Sequence, residues 1–205
     1  MEYLKNSDDI VLPPRLFGPV EYFHALLKYE KAVIDIGRPY DKREKAVHRY
    51  EIIDARGRLT LTVPLGKPHG VDNATWTDCP VSTHDEWWHR HRTALESAYG
   101  RTPFFEFLID KFDRIFRSPA EWPQWPSAID LIKEANRVIL NILNTNNRII
   151  YENSPQNTAL ETFQKDIREY WQVRQHIHGF QAGLSILDLI FNLGPEAALH
   201  LGGRH

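Results

Sequence analysis

The 205-residue chain is 42% hydrophobic and 12% aromatic and carries a formal net charge of -2. That is enough apolar material for one domain with a sizeable core over residues 1–205, and with Lys and Arg spread evenly it excludes nucleic acid and anionic membrane surfaces as partners recognised by charge. Cys79 is the only cysteine, which excludes an intrachain disulfide and a thiolate-rich metal cage.

The N-terminal MEYLKNSDDI lacks the basic start and apolar run of a signal peptide. No segment approaches the ~20 consecutive apolar residues that cross a bilayer. The expectation is a soluble, cytoplasmic protein without membrane insertion. Residues 1–15 are mostly polar and end in Leu12-Pro13-Pro14-Arg15, an extended or turn segment, because each proline restrains the residue before it. Pro19 then suits the first turn of a helix with Tyr22, Phe23, Leu26 and Leu27 on one face. Ala32 to Ile36 is an apolar run broken only by Asp35, which predicts a strand covered on both faces.

A charged loop, Gly37 to Lys45, leads to two strands, Val47 to Asp54 and Leu59 to Leu65. The Gly-bearing link Ala55-Arg56-Gly57-Arg58 makes them an antiparallel hairpin. Leu59, Leu61 and Val63 alternate with Thr60 and Thr62, so one face is buried and the other half-polar. On the partner strand Tyr50 and Ile52 share a face with His48, and Arg49 and Glu51 share the opposite one. After a loop from Lys67 to Asn73, Ala74 to Asp78 reads as a further strand.

The best-punctuated element is the helix at 83–99. Thr83 and Glu86 have the spacing of a capping box, and Gly100 closes it. Trp88, His91, Leu95, Ala98 and Tyr99 fall on one face, so His91 is a polar group on the core side. A second helix at 103–117 carries the stripe Phe104, Leu108, Phe112, Ile115 and Phe116. Trp122-Pro123-Gln124-Trp125-Pro126 reads as a rigid aromatic bridge. Ser127 caps a third helix, 127–143, that buries Ala128, Leu131, Ile132, Ala135, Ile139, Ile142 and Leu143. Arg148 to Tyr151 is one more short strand, and residues 153–170 carry no clear signal. Ser185 and Asp188 read as another capping box ahead of an apolar helix that Gly194-Pro195 ends. The fold class is α+β: a small mixed sheet with an antiparallel hairpin, packed by several helices, with C-terminal helices closing one side.

Several stretches together resemble the WbqC-like family of bacterial proteins. They are Gly18-Pro19-Val20-Glu21-Tyr22-Phe23, Val33-Ile34-Asp35-Ile36, Lys42 with His48-Arg49, and Leu59 to Pro64. Trp88 and His91 ahead of Glu96 to Gly100, Thr102 to Phe105, His178-Gly179-Phe180 and Leu184 to Pro195 continue the set in order. Position 48 is His where the family usually shows Asn-Arg, and Arg38 stands before Pro39-Tyr40-Asp41-Lys42 where related chains often place Glu. What the resemblance implies is a cytoplasmic bacterial protein associated with O-antigen or other surface-polysaccharide synthesis.

The best candidate site is the loop and hairpin carrying Tyr40, Lys42, His48 and Arg49, facing the helix with His91 and Tyr99. Lys42 and Arg49 suit a phosphate, pyrophosphate or carboxylate, since Arg grips an anion with two parallel donors. His48 or His91 is the candidate acid or base, because imidazole titrates near neutral pH. With the resemblance, these residues read as a transferase acting on a small anionic, nucleotide-linked substrate, with homo-oligomer formation open. The same residues also read as a solvated, charge-mixed loop and a core histidine, which makes the chain a non-catalytic binding or scaffold protein. Ser185 is explained by capping, and no Gly-x-Ser-x-Gly elbow is present. His176 and His178 would share a face on a strand, but no third metal ligand is evident. There is no Gly-rich phosphate loop, Rossmann fingerprint or Walker sequence, which argues against the common nucleotide-cofactor folds and leaves the cofactor unknown.

Overall fold

The computed structural model describes residues 9–29, 31–68, 70, 72–118, 125–145, 148–153 and 168–202. The first strand, β1 (Asp9–Leu12), is followed by α1 (Val20–Lys28) and β2 (Lys31–Asp35). Then come the hairpin strands β3 (Arg49–Asp54) and β4 (Gly57–Thr62), the helix α2 (Trp87–Tyr99), two single-turn helices α3 (Phe105–Leu108) and α4 (Asp113–Phe116), and α5 (Ala128–Leu143). Strand β5 (Arg148–Glu152) and helices α6 (Gln175–His178), α7 (Ile186–Leu193) and α8 (Ala197–His200) complete the described chain.

The fold is α+β, with parallel and antiparallel strands. Strand β2 lies between β1 and β5 in a three-stranded parallel sheet, and β3 with β4 forms an antiparallel ribbon. As its apolar run predicts, β2 is covered on both faces: Ala32, Val33, Ile34 and Asp35 are all buried. Leu12, on the neighbouring strand, is buried too, and the hydrogen bonds of β1 to β2 turn a polar-looking N-terminal segment into an edge strand. The helix α1 begins after Pro19 and buries Tyr22, Phe23, Leu26 and Leu27 as expected.

Several local expectations change. Ala74 to Asp78 is not a strand: Thr75 caps a 3-10 turn at Trp76–Asp78, accepting from the Thr77 amide at 3.3 Å, while Asp78 reaches back to the Thr75 amide at 2.8 Å. The capping box lay eight residues earlier than the one expected at Thr83, which makes no side-chain cap. Asp85 and Glu86 instead take left-handed backbone, with φ of 63° and 44°, and α2 starts only at Trp87. Its buried stripe is therefore Trp87, His91, Leu95, Ala98 and Tyr99, with Trp88 only partly covered. The helix expected at 103–117 is broken into α3, a 3-10 turn and α4, although Leu108, Phe112, Ile115 and Phe116 still face inward. His176 and His178 stand on the single turn α6, not on a strand.

Other signals hold. Ser127 Oγ accepts from the Asp130 amide at 3.1 Å, and Asn144, in left-handed backbone, ends α5. Ser185 Oγ accepts from the Leu187 amide at 3.2 Å, but Asp188 does not complete a box; its carboxylate turns inward. Trp122 and nearly all of the segment 153–170 lie outside the described residues. Among the described residues no helix is long and apolar enough to cross a membrane, and no group of three or more His, Cys, Asp or Glu is placed to hold a metal ion.

Candidate functional site

Two recesses lie against the β3–β4 ribbon. The smaller, about 350 Å³, is walled by Arg15, Lys45, Arg49, Glu51 and Ser185, with Tyr50 and Thr60 also lining it. Three chain segments are stitched together to make it. The Val20 amide donates to Leu184 O at 3.0 Å, the Ile186 amide to Gly18 O at 2.9 Å, and the Ser185 amide to Glu51 O at 2.8 Å. Gly183 is fixed from the other side by its amide on Glu21 Oε1 at 2.9 Å. Phe17, at the wall, has a φ of 45°, a conformation unusual for a bulky residue and one that only firm surrounding packing holds. Its ring meets Tyr50 edge-on at 4.9 Å.

The charge of this recess follows from its pairings. Glu51 is bound by Arg58 at 2.7 Å, and Arg58 also holds Gln181 Oε1 and the carbonyl of Ala182. Among the described residues the lining thus presents three cations, Arg15, Lys45 and Arg49, and one carboxylate, Glu51. Arg38 pairs with Glu44 at 3.4 Å. Burial lowers Arg15 from its ordinary value, partly offset by the fields of Tyr22 and Glu44.

The expected residues are distributed as follows. Arg49 lines the small recess, but Lys42 is exposed on the loop and lines neither recess; the cations that join Arg49 are Lys45 and Arg15. Tyr40 packs edge-on against Trp76 at 4.9 Å. His48 lies outside the strand expected from Val47: it ends a 3-10 turn at Lys45–Val47, β3 starts at Arg49, and the His48 Nδ1 bonds Val63 O at 2.8 Å. Because that carbonyl only accepts, Nδ1 carries the proton. Burial lowers the His48 pKa, with the nearby positive charges of Arg49 and Lys45 acting in the same direction. Tyr99 is fully buried, its hydroxyl receiving the Ile53 amide at 3.4 Å.

His91 is 4% exposed and uses both ring nitrogens. Nε2 lies 3.2 Å from Thr62 O and Nδ1 3.0 Å from the Tyr50 hydroxyl. The carbonyl fixes the tautomer: Nε2–H donates to Thr62 O, so Tyr50 O–H donates to Nδ1. Burial pushes His91 down to about 4, the Arg90 charge adding to the effect against the pull of Thr62 O. His91 lines the second recess, about 720 Å³, between β4 and α2, which Arg49 does not reach; Thr60 borders both. The Tyr50–His91 hydrogen bond is thus a buried link from one recess to the other.

Two features were not legible in the sequence. Lys45 and Arg15 join Arg49 only through the stitching of distant segments. Asp188, fully buried, accepts from the Tyr170 hydroxyl at 2.6 Å and the Gln172 amide at 3.0 Å. Burial raises its pKa against these donors. Cys79 is buried, and burial pushes its thiol up to about 11, so it is held as a neutral thiol.

No curated protein and no solved structure matches the chain. A family model does: that of the WbqC-like protein family, over residues 14–162. The match takes in Arg15, both hairpin strands and α2, and leaves Gly183 and Ser185, the third wall of the small recess, beyond its end. The protein belongs to the WbqC-like family.

Proposed function

We propose that this protein is a cytoplasmic enzyme of bacterial surface-polysaccharide synthesis that transfers a group to or from a small anionic, nucleotide-linked substrate. The observation that carries the reading is the convergence of Arg15, Lys45 and Arg49 on one recess where, among the described residues, the one lining carboxylate is tied to Arg58. Guanidinium groups pair with phosphate oxygens two at a time, and a recess of about 350 Å³ suits a phosphate or diphosphate group rather than a whole nucleotide sugar. The remainder of the substrate lies outside it.

The candidate acid or base is His91, neutral and bonded to the Tyr50 hydroxyl on the α2 side of the ribbon. His48, whose Nδ1 is fixed on Val63 O, keeps Nε2 as the basic nitrogen and is the alternative base.

The test is titration calorimetry of UDP-glucose, UDP and inorganic phosphate against the wild type and the Arg49→Ala and Lys45→Ala variants. Both side chains are exposed, so the variants fold. Saturable binding of UDP or UDP-glucose that weakens at least tenfold in both variants supports the reading, as one charge-assisted contact contributes ~1.5–3 kcal/mol. Binding that is absent for every probe, or equal in all three proteins, overturns it.

A second reading has its own support. Both ring nitrogens of His91 are engaged and Arg49 and His91 line different recesses, an arrangement that also suits a non-catalytic binding protein. Tight UDP binding without turnover of any nucleotide sugar would favour it.

A further inference from the structure

The phase of hydrogen bonding in the β3–β4 ribbon shows which backbone groups point outward. In an antiparallel pair, residues alternate between pairs that exchange both backbone bonds and pairs whose amides and carbonyls face away. The Val63 amide bonds His48 O at 2.9 Å inside the ribbon, whereas the Ser185 amide reaches Glu51 O from outside it. With the register Glu51 to Thr60 and Arg49 to Thr62, the outward residues are therefore Arg49, Glu51 and Ile53 on β3 and Arg58, Thr60 and Thr62 on β4.

The two edges are treated differently. On β3, Glu51 O takes the Ser185 amide and the Ile53 amide meets the Tyr99 hydroxyl. On β4, Thr62 O accepts from His91 Nε2–H, but among the described residues no hydrogen bond engages the Thr60 amide, the Thr60 carbonyl or the Thr62 amide. That open edge is one side of the 720 Å³ recess, which Leu59, Thr60, Leu61 and Thr62 line consecutively. Its other side is one face of α2, where Trp87, Arg90, His91, Ala94 and Ser97 recur at spacings of three and four.

We propose that this groove binds an extended polypeptide segment of a partner protein, which adds to the edge of β4 as a further strand. The unpaired donors and acceptors follow one another at strand spacing, about 3.4 Å per residue, which another strand matches and a sugar ring does not. Charge points the same way. The lining sets Asp54 and Asp85 against Arg56 and Arg90, and His91 is neutral there, so the groove suits uncharged amides where the neighbouring recess suits an anion. Tyr50 pairs with Leu61 and bonds His91, so the Leu59–Leu61 face of the ribbon looks at α2. Alternate side chains of an added strand enter beside Trp87 and Ala94 and are apolar; the others stand beside Thr60 and Thr62 and are polar. A free edge is otherwise a liability that proteins blunt with proline, charge or a bulge, and β4 carries no proline or bulge.

The experiment is selection of a phage-displayed library of random nine-residue peptides on the full chain, with Thr60→Pro and Ala94→Trp as counter-targets. Proline removes an outward amide that no internal bond uses, and edge strands accept it there; Trp at 94 fills the groove from the helix side. Circular dichroism melting of both variants establishes that each is folded. The expected result is enriched peptides with apolar residues at every second position, whose synthetic copies bind the wild type at least tenfold more tightly than either variant. N-methylation of the amides that face β4 abolishes their binding. The proposal is overturned by no enrichment on the wild type, or by peptides that bind both variants undiminished. It is equally overturned if neutral oligosaccharides bind in a manner blocked by Ala94→Trp but not by Thr60→Pro, or if Thr60→Pro turns a wild-type dimer into a monomer, since the groove then belongs to a sugar or to a second copy.

Discussion

The Tyr50 hydroxyl lies 3.0 Å from Nδ1 of His91, and the other nitrogen of that ring is held by Thr62 O at 3.2 Å. One imidazole therefore ties α2 to both strands of the ribbon, and it does so only while neutral. A proton on Nδ1 would remove the acceptor for the Tyr50 hydroxyl in a buried site.

The pH dependence of stability follows. His91 is pushed down to about 4 from an ordinary 6.5, so between those values the unfolded chain binds the proton and the folded one does not. Stability is complete above about pH 6.5 and falls as the pH drops toward 4, by ~3 kcal/mol for this residue at about 1.4 kcal/mol per pKa unit. Urea midpoints of wild type and His91→Phe from pH 4 to 8 check this. The variant loses the His91 share of the slope, and parallel curves would refute the assignment.

Asp188 acts in the opposite sense. Its pKa is raised by burial, so the folded state holds a proton that the unfolded chain releases, and its share of stability is present at low pH and lost as the pH rises above about 4 toward the folded value. Asp188→Asn should therefore gain on the wild type as pH increases. Asp188→Leu leaves the Tyr170 hydroxyl without its acceptor, while Gln172 Nε2 keeps Gln181 O, and costs ~1–3 kcal/mol. Chemical denaturation of the three proteins at pH 4.5 and 7.5 separates the effects; a pH-independent difference between Asp and Asn would contradict a raised pKa.

Ser185 lines the small recess, yet its side-chain bond is a helix cap. Ser185→Ala should cost ~1 kcal/mol of stability and change UDP affinity less than threefold. Arg49→Ala should do the reverse. A Ser185→Ala variant of full stability but tenfold weaker binding would move that hydroxyl from the cap to the ligand.

Gly194 combines two constraints. Its φ is +55°, and a Cβ there would stand 2.4 Å from Phe104 Cδ1. Gly194→Ala should lose ~2–4 kcal/mol, the sum of backbone strain and overpacking of an aromatic ring. A urea midpoint close to the wild type's would mean that Phe104 yields at little cost.

The sequence by itself determined the elements whose signals are local. The Ser127 and Ser185 caps, the doubly covered β2, the alternation of Leu59, Leu61 and Val63 and the buried stripe of α5 are set by neighbours within a turn or two, and the folded chain keeps each of them. Even His91 was legible as an inward polar residue, because helical period alone places it on the face of Leu95 and Ala98.

Tertiary structure decided what no short window contains. The left-handed backbone at Asp85 and Glu86 moves the start of α2 to Trp87, and the Trp87 indole N–H closes on Ser82 O at 3.0 Å, a fit made by packing and not by propensity. Arg15, Lys45, Arg49 and Ser185 meet because three backbone hydrogen bonds close loops between distant segments. Periodicity reports which way a side chain faces on its own element. Which cations share a recess depends on loop closure, whose reward is long-range burial that local sequence does not encode.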